Sequence, residues 1–246
     1  MGQPEIKGTL WCLHGAVGAA ADWQFLTIQG WVIRRVDLWR FLSCCPMSLP
    51  EFGAALNREA AALPGRHVLL GYSMGGRLAL HALLAGGPWS AGIIVSANPG
   101  LEDEADRSTR LEADAEWAAR ALNADWAEFI GAWQSQPVLG APSPLQTDRL
   151  ALVSRRREIA RSFIDWSVAA QQPLWDQLHH IHCPLLWIAG KHDHKYQALT
   201  ARVLRENHHT DTWEGWYPPD SGHRVPWESP RSFTTRIGEF LERLDS

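Results

Sequence analysis

Apolar residues gather into short runs rich in branched and aromatic side chains, and each run is followed by a stretch with helical periodicity. The five clearest runs are GTLWCLHG at 8–15, WVIRRVDL at 31–38, HVLLGYS at 67–73, AGIIVSAN at 91–98 and PLLWIAG at 184–190. Short continuous apolar runs are typical of strands that are covered on both faces. Their alternation with helical patterns predicts an α/β fold with a mostly parallel sheet flanked by helices.

Two helices have clear starting signals. Ser48 and Glu51 have the spacing of a capping box, and apolar residues then recur at helical intervals up to residue 63. Near the end of the chain, Ser229 is placed to cap a helix whose first residue is Pro230, and apolar residues between 233 and 244 form one stripe. We expect this last helix to close the domain.

The segment between the fourth and fifth apolar runs has helical character and no convincing strand. Within it, Trp126, Phe129, Ile130 and Trp133 recur at i, i+3, i+4 and i+7, which gives one aromatic helix face. That face could pack on the body of the protein or roof a pocket, and packing is the commoner role for each residue. We therefore predict a single domain over 1–246 with a helical cap inserted at about 100–182.

Composition and charge narrow the range of partners. The 246 residues carry a formal net charge of −4, and no basic block or stripe is present to neutralise nucleic-acid phosphates. No apolar run reaches the roughly 18 residues that span a bilayer, and the first residues lack a signal-peptide pattern. These features predict a cytoplasmic protein that binds a small molecule rather than nucleic acid or membrane, and they do not address its oligomeric state.

A G-x-S-x-G pattern follows the third apolar run. Gly71, Ser73 and Gly75 stand between HVLL and RLALHALL, which is the strand, turn and helix setting of a nucleophile elbow. In that setting the serine hydroxyl lies at the carboxyl edge of the sheet, where open α/β folds bind ligands. Ser73 is the predicted nucleophile or base.

A serine needs a histidine to take its proton and a carboxylate to orient that histidine. Asp193 follows the strand PLLWIAG, and His223 precedes the last helix, so the order along the chain is serine, acid, histidine. Asp220, three residues before His223, is a rival for the acid. The position of Asp193 after a strand end favours Asp193.

An oxyanion site would complete this arrangement. The amide after the nucleophile, that of Met74, and the amide of Ala16 after the first strand are the expected pair, while His14 is expected to hold the loop. Histidines also cluster at 179–182 and 192–194, but no second cluster completes a ligand set. We therefore predict neither a metal nor a cofactor.

Arg77 is unusual because it lies in the first turn of the predicted helix after Ser73. A cation at that end opposes the helix dipole, so a compensating role is expected. The other arginines of interest, Arg107, Arg110, Arg155 and Arg156, lie in charged helices, where a solvated face is the usual meaning.

With HG, G-x-S-x-G, the acid and the histidine in this order, the chain resembles the α/β-hydrolase superfamily. Within it, the chain most resembles the 2-succinyl-6-hydroxy-2,4-cyclohexadiene-1-carboxylate synthases of menaquinone biosynthesis. That resemblance rests on GYSMGGR, NPGLEDEADRSTRLEADAEW, WQSQPVL, GKHDHKY and SGH, and covers the chain from about residue 8.

The resemblance implies an α/β-hydrolase fold and a lyase reaction. Ser73, activated by His223 and oriented by Asp193, would remove a ring proton from a polycarboxylate, and pyruvate would be eliminated. The positions that match the family's substrate-binding residues are Tyr72, Arg77, Arg110 with Arg107 close by, Trp133, and one of Arg155 and Arg156. Arginine suits carboxylates because its planar fork donates two parallel hydrogen bonds.

Two other functions remain open at this point. The same triad would serve a carboxylesterase or thioesterase acting on a small acyl substrate, through a covalent intermediate on Ser73. A ligand receptor without turnover is a third possibility, which the intact triad makes less favourable.

Overall fold

The computed structural model describes residues 6–140, 143, 146–208 and 211–244. One sheet runs through these residues, in the order β2-β1-β3-β4-β5-β6, and every neighbouring pair is parallel. Its strands are β1 (Gly8–Leu13), β2 (Trp31–Val36), β3 (His67–Tyr72), β4 (Trp89–Val95), β5 (Leu185–Ile188) and β6 (Trp213–Trp216). The predicted α/β class is confirmed, since β1 to β5 coincide with the five apolar runs.

The sixth strand was not predicted. β6 has only four residues, WEGW, at the edge of the sheet, and Glu214 within it pairs with Arg236 and Arg243 of the last helix. Edge strands are commonly short and charged, so they lack the continuous apolar run that marks a central strand.

Side chains alternate between the two faces of the sheet, and each face has its own core. In β1, Leu10 and Cys12 pack in the cluster that contains Phe233 of α8 (Pro230–Arg243). Trp11 and Leu13 point the other way, into the cluster that contains α1 (Leu49–Ala61) and α2 (Met74–Leu84). This period of two explains why the strand reads as uniformly apolar: both of its faces are buried.

The predicted helix starts are present. Ser48 and Glu51 form the reciprocal capping box at the start of α1. α8 begins at Pro230, but the Ser229 hydroxyl bonds to the Ser221 hydroxyl at 2.7 Å and not to a helix amide. The other helices of the sheet layers are α6 (His194–Glu206) and the single turn α7 (Val225–Glu228).

The regular elements that the described residues form between β4 and β5 are all helices. α3 (Glu104–Asn123), α4 (Trp126–Gln134) and α5 (Arg156–Asp165) lie there, with 3₁₀ turns at Pro137–Leu139, Arg149–Arg155 and Trp175–His180. α3 packs against α5. On α4, Trp126, Phe129 and Ile130 are buried in the core, whereas Trp133 lines a cavity over the sheet.

The carboxyl ends of the parallel strands lie at one edge of the sheet, so the loops that follow them meet there. None of the helices that the described residues form is long and apolar enough to cross a membrane.

Candidate active site

Ser73 occupies a strained turn between β3 and α2. Its φ is 52° and its ψ is −113°, a conformation that non-glycine residues seldom adopt. The flanking glycines are required by close approach: a Cβ on Gly71 would lie 2.3 Å from the Gly75 carbonyl oxygen, and one on Gly75 would lie 2.5 Å from the His14 carbonyl oxygen. The half-buried Ser73 side chain consequently faces a cavity at the carboxyl edge of the sheet.

His223 joins Ser73 to a buried carboxylate. Its Nε2 lies 3.2 Å from Ser73 Oγ, and its Nδ1 lies 2.6 Å from Asp193 Oδ2. The Ser96 hydroxyl donates to the His223 carbonyl at 3.0 Å and fixes the loop. Asp193, rather than the exposed Asp220, is the carboxylate at Nδ1. The three predicted residues are therefore in contact, in the geometry of a serine activated by histidine.

The two amides predicted as an oxyanion site border the same cavity, since both Ala16 and Met74 line it. Neither amide donates to another backbone or side-chain group in the part of the chain that the structure describes. His14 holds the Ala16 loop: its Nδ1 lies 2.9 Å from the Gly15 carbonyl oxygen, and its Nε2 accepts from the Leu38 amide at 3.3 Å. Burial lowers the pKa of His14 to about 4, so this imidazole is neutral and structural.

The cavity beside Ser73 has a volume of about 100 Å³ and carries two arginines. Its lining combines the Ser73 and His223 side chains with residues from the helices between β4 and β5. The described lining residues are Ala16, Tyr72, Ser73, Met74, Arg77, Ser96, Asn98, Arg110, Trp133, Gln136, Val138, Leu139, Val168, Tyr196 and His223.

Arg77 is a buried cation in the wall of this cavity. Only 8% of its surface is exposed, and its Nη1 donates to the Trp166 carbonyl at 2.5 Å. None of the ion pairs formed among the described residues includes Arg77. Burial lowers the pKa of Arg77 to about 10, and the nearby charge of Arg110 acts in the same direction. A buried charge normally has a counter-ion, so the cavity itself is suited to an anion.

Arg110 reaches the same cavity from α3 and is less buried. Its Nε lies 2.9 Å from Asp114 Oδ2, and 43% of its side chain is exposed. The cavity thus holds one buried arginine without a carboxylate partner and one exposed arginine with such a partner.

The other three predicted arginines do not line the cavity. Arg107 donates to the Ala169 carbonyl at 3.3 Å, and Arg155 pairs with Asp37 at 3.0 Å. Arg156 donates to the carbonyls of Ala121 and Ala124 at the end of α3. Each contacts protein groups and is absent from the described lining of this cavity, so the expectation that they bind substrate stays a prediction.

Aromatic residues complete the wall around His223. The predicted Tyr72 ring has its centre 5.6 Å from the His223 ring, and Trp133 packs edge-on against Trp117. Tyr196, which sequence reasoning missed, lies closer, at 4.5 Å from His223. Burial raises the pKa of both tyrosines above the ordinary value, so both hydroxyls stay protonated. Tyr196 lies three residues after Asp193, in the first turn of α6. This spacing is the sequence signal that could have indicated its place in the site.

A small polar cavity adjoins the one beside Ser73. It contains a buried ion pair that the sequence did not reveal. Arg149 makes two hydrogen bonds to Asp22, at 2.8 and 2.9 Å, and both side chains are buried. Burial opposes ionisation of Asp22, yet the bonds from Arg149 hold its pKa below the ordinary value. The described residues contain no cluster of three or more His, Cys, Asp or Glu side chains placed to hold a metal ion.

Comparison with known proteins gives one family and a set of relatives. A model of the alpha/beta hydrolase family matches residues 12–235. The 2-succinyl-6-hydroxy-2,4-cyclohexadiene-1-carboxylate synthase of Serratia proteamaculans is 28% identical, over 98% of this chain and 95% of its own length. The synthase of that name from Enterobacter sp. is 28% identical over 93% of this chain and 90% of its own.

Solved structures share the fold. MenH from S. aureus superposes with a TM-score of 0.85 at 22% identity, covering 98% of this chain and 96% of its own. An esterase from Exiguobacterium antarcticum gives a TM-score of 0.74 at 20% identity, covering 100% and 94%. The same fold therefore holds both a protein named MenH and an esterase.

Proposed function

The chain belongs to the alpha/beta hydrolase family, and from that premise we propose that it is a lyase of the 2-succinyl-6-hydroxy-2,4-cyclohexadiene-1-carboxylate synthase type. It would remove a ring proton from a polycarboxylate and eliminate pyruvate. Ser73, His223 and Asp193 are its proposed catalytic triad, with Arg77 and Arg110 as the groups that bind carboxylates. The named relatives from Serratia proteamaculans and Enterobacter sp. support this assignment.

The single observation that carries the proposal is Arg77. Among the described residues, the Trp166 carbonyl is the only hydrogen-bond partner of this buried guanidinium, which is costly for the folded protein because the charge leaves water without a counter-ion in direct contact. A substrate carboxylate would supply that counter-ion beside Ser73. A neutral ester would leave Arg77 unpaired, so the arginine favours an anionic substrate.

The proposed reaction begins with proton transfer from Ser73 to His223 Nε2, across the 3.2 Å contact. The serine oxygen then takes the ring proton. The electron pair of that C–H bond forms a ring double bond, and the C–O bond to the enolpyruvyl group breaks. The leaving enolate takes the proton from His223 and becomes pyruvate, which restores both residues without adding water.

The remaining groups would stabilise charge and orientation. Asp193, at 2.6 Å from Nδ1, stabilises the imidazolium that forms on His223. The free amides of Ala16 and Met74 are placed to bind a carbonyl oxygen on which negative charge develops. Each such donor is worth roughly 2.7–4 kcal/mol in other enzymes.

We further propose that the helical segment at about 100–182 acts as a cap over the site. It contributes Arg110, Trp133 and Val168 to the cavity wall. The proposed enzyme needs no cofactor and acts on a small anionic molecule in the cytoplasm.

The test is pyruvate release. Purified protein incubated with the enolpyruvyl substrate should release one pyruvate per substrate, measured with lactate dehydrogenase and NADH. Ser73→Ala should lower kcat by at least about 10³-fold, since the residues of a triad act as a unit. No release by the wild type at micromolar enzyme would refute the lyase assignment.

A serine hydrolase is the second candidate, because the strained Ser73 and the two free amides equally suit acyl transfer. It predicts a burst of p-nitrophenol from short p-nitrophenyl esters and an acyl adduct on Ser73, detected by mass spectrometry. The lyase predicts pyruvate without any adduct. An adduct together with ester turnover faster than pyruvate release would favour the hydrolase.

A further inference from the structure

One turn of the chain, residues 166–169, makes three contacts with Arg77, Arg107 and the ion pair of Arg110. The Trp166 carbonyl accepts from Arg77, and the Ala169 carbonyl accepts from Arg107. Ser167 Oγ donates to Asp114 Oδ2 at 2.6 Å, and the same oxygen forms an ion pair with Arg110 Nε at 2.9 Å. Val168, between these residues, lines the cavity.

Ser167 and Asp114 are almost completely buried, at 2% and 1% exposure. Ser167 Oγ also accepts from the Ala169 amide at 2.9 Å, so the hydroxyl is held from both sides. Asp114 Oδ1, in contrast, has no hydrogen-bond partner within the described part of the chain.

A buried carboxylate with an unused oxygen costs folding free energy. The ion pair with Arg110 and the nearby charge of Arg77 both favour a carboxylate at this position. Oδ2, the oxygen that accepts from Ser167, also forms the ion pair with Arg110 Nε. The Nη donors of Arg110 remain without a partner among the described residues. The carboxylate thus holds the arginine while leaving its outer donors for the cavity.

We propose that the turn at 166–169, acting through Ser167 and Asp114, sets the separation between Arg77 and Arg110 and so selects a substrate with two separate carboxylates. The proposal rests on the function proposed above. Trp166 fixes Arg77 directly, and Ser167 fixes Arg110 through Asp114. Because both contacts come from consecutive residues, the two guanidinium groups are held by one short stretch of backbone. Ser167 and Asp114 are positioning residues, since neither lines the cavity.

The variants Ser167→Ala and Asp114→Asn test the positioning role most directly. Each should raise the KM for the enolpyruvyl substrate by about tenfold and leave kcat within about threefold, because a lost ground-state contact changes KM rather than the chemical step. Ser167→Thr, which keeps the hydroxyl, should restore the KM.

Two matched controls separate positioning from stability. Ser162 is a buried serine whose hydroxyl bonds only to the Ile159 carbonyl of its own helix, so Ser162→Ala should leave KM unchanged. Glu112 is an exposed acid on the helix of Asp114, so Glu112→Gln controls for the loss of one negative charge.

Anion binding tests the proposal without turnover. Succinate carries two carboxylates and butyrate one, and binding of each can be followed through the fluorescence of the tryptophans, one of which, Trp133, lines the cavity. The wild type should bind succinate about tenfold more tightly than butyrate, and Ser167→Ala should lose that preference.

The outcomes separate this proposal from the proposed function. A wild type that releases no pyruvate but prefers succinate, with the preference lost in Ser167→Ala, refutes the lyase and supports the positioning role. A Ser167→Ala protein with an unchanged KM and an unchanged preference for succinate overturns the positioning role. Equal weakening of succinate and butyrate also overturns it, because that pattern means a general collapse of the cavity. If Asp114→Asn does not fold, the two Ser167 variants decide.

Discussion

At the scale of single residues, Arg77 links stability and substrate choice. Its charge is buried against one carbonyl, and burial lowers its pKa to about 10, so the folded protein holds this cation at a cost. The cost is on the order of 3 kcal/mol from the shift, against about 1 kcal/mol for the hydrogen bond to Trp166. The cost of burial is larger than the gain from the hydrogen bond, which supports the proposed role of Arg77 in binding an anion.

Arg77→Met tests this balance. The variant keeps an apolar stem and removes the charge, so we predict a free energy of unfolding higher by about 1–2 kcal/mol, measured by urea denaturation. The same variant should raise the KM for the polycarboxylate by at least about tenfold. Arg156→Met is the matched control: Arg156 bonds to the last carbonyls of α3, so its loss should lower stability and leave KM unchanged. A less stable Arg77→Met protein with normal KM would contradict the role given to Arg77.

The contacts of individual side chains show where sequence reasoning works. The contact between Ser73, Asp193 and His223 could be predicted because each follows a recognisable strand or precedes a helix, and strand ends meet at one edge of a parallel sheet. The partners of long arginine side chains could not be predicted in this way. Arg156 reaches backbone carbonyls that lie more than thirty residues away in sequence, and spacing does not encode such contacts.

At the scale of elements, the junction of β1, β3 and α2 positions the proposed nucleophile against the proposed oxyanion amide. Gly75 in α2 lies directly against the carbonyls of Leu13 and His14 at the end of β1. The Ala16 amide follows immediately in that loop. The packing of this one glycine therefore sets the distance between two parts of the site that come from different elements.

Gly75→Ala is predicted to separate these parts. Its Cβ would lie 2.5 Å from the His14 carbonyl oxygen, a backbone atom that cannot rotate away. We expect a loss of about 1–3 kcal/mol in stability and a larger relative loss of kcat. Gly131→Ala provides the control, since nothing lies within 4 Å of a Cβ at this exposed position in α4. It should be neutral or stabilising by up to about 1 kcal/mol. A wild-type kcat in the Gly75→Ala variant would contradict this prediction, because it would show that separating the two parts does not impair the site.

Elements differ in how well their sequences predict them. β1 to β5 are buried on both faces and read as apolar runs, and α1 has its capping box. β6 is a four-residue edge strand that contains Glu214 and Gly215, and its pairing depends on β5 being already in place. A strand defined by its neighbour rather than by its own pattern is not visible in the sequence alone.

At the scale of the whole molecule, two buried histidines link stability to pH. Burial lowers the pKa of His14 and of His81 to about 4 in each case, and the charge of Arg77 adds to the effect at His81. In the unfolded chain both would titrate near 6.5. Between pH 6.5 and 4 the unfolded state therefore binds protons that the folded state excludes, so the free energy of unfolding must fall as the pH is lowered through this window.

The expected loss is on the order of 3 kcal/mol per histidine by pH 4, and most of it should appear below pH 6. His81→Leu should remove about half of the slope, because the His81 Nε2 has no hydrogen-bond partner among the described residues and leucine fills a similar volume without a charge to exclude. Urea denaturation at half-unit steps from pH 4 to 7 measures the slope. The exposed His182, replaced by Asn, serves as the control for the removal of one histidine from the chain. Asp22 acts in a separate window, since its lowered pKa adds stability that is lost only at more acidic pH. An unchanged slope in His81→Leu would mean that the acid sensitivity arises from other groups.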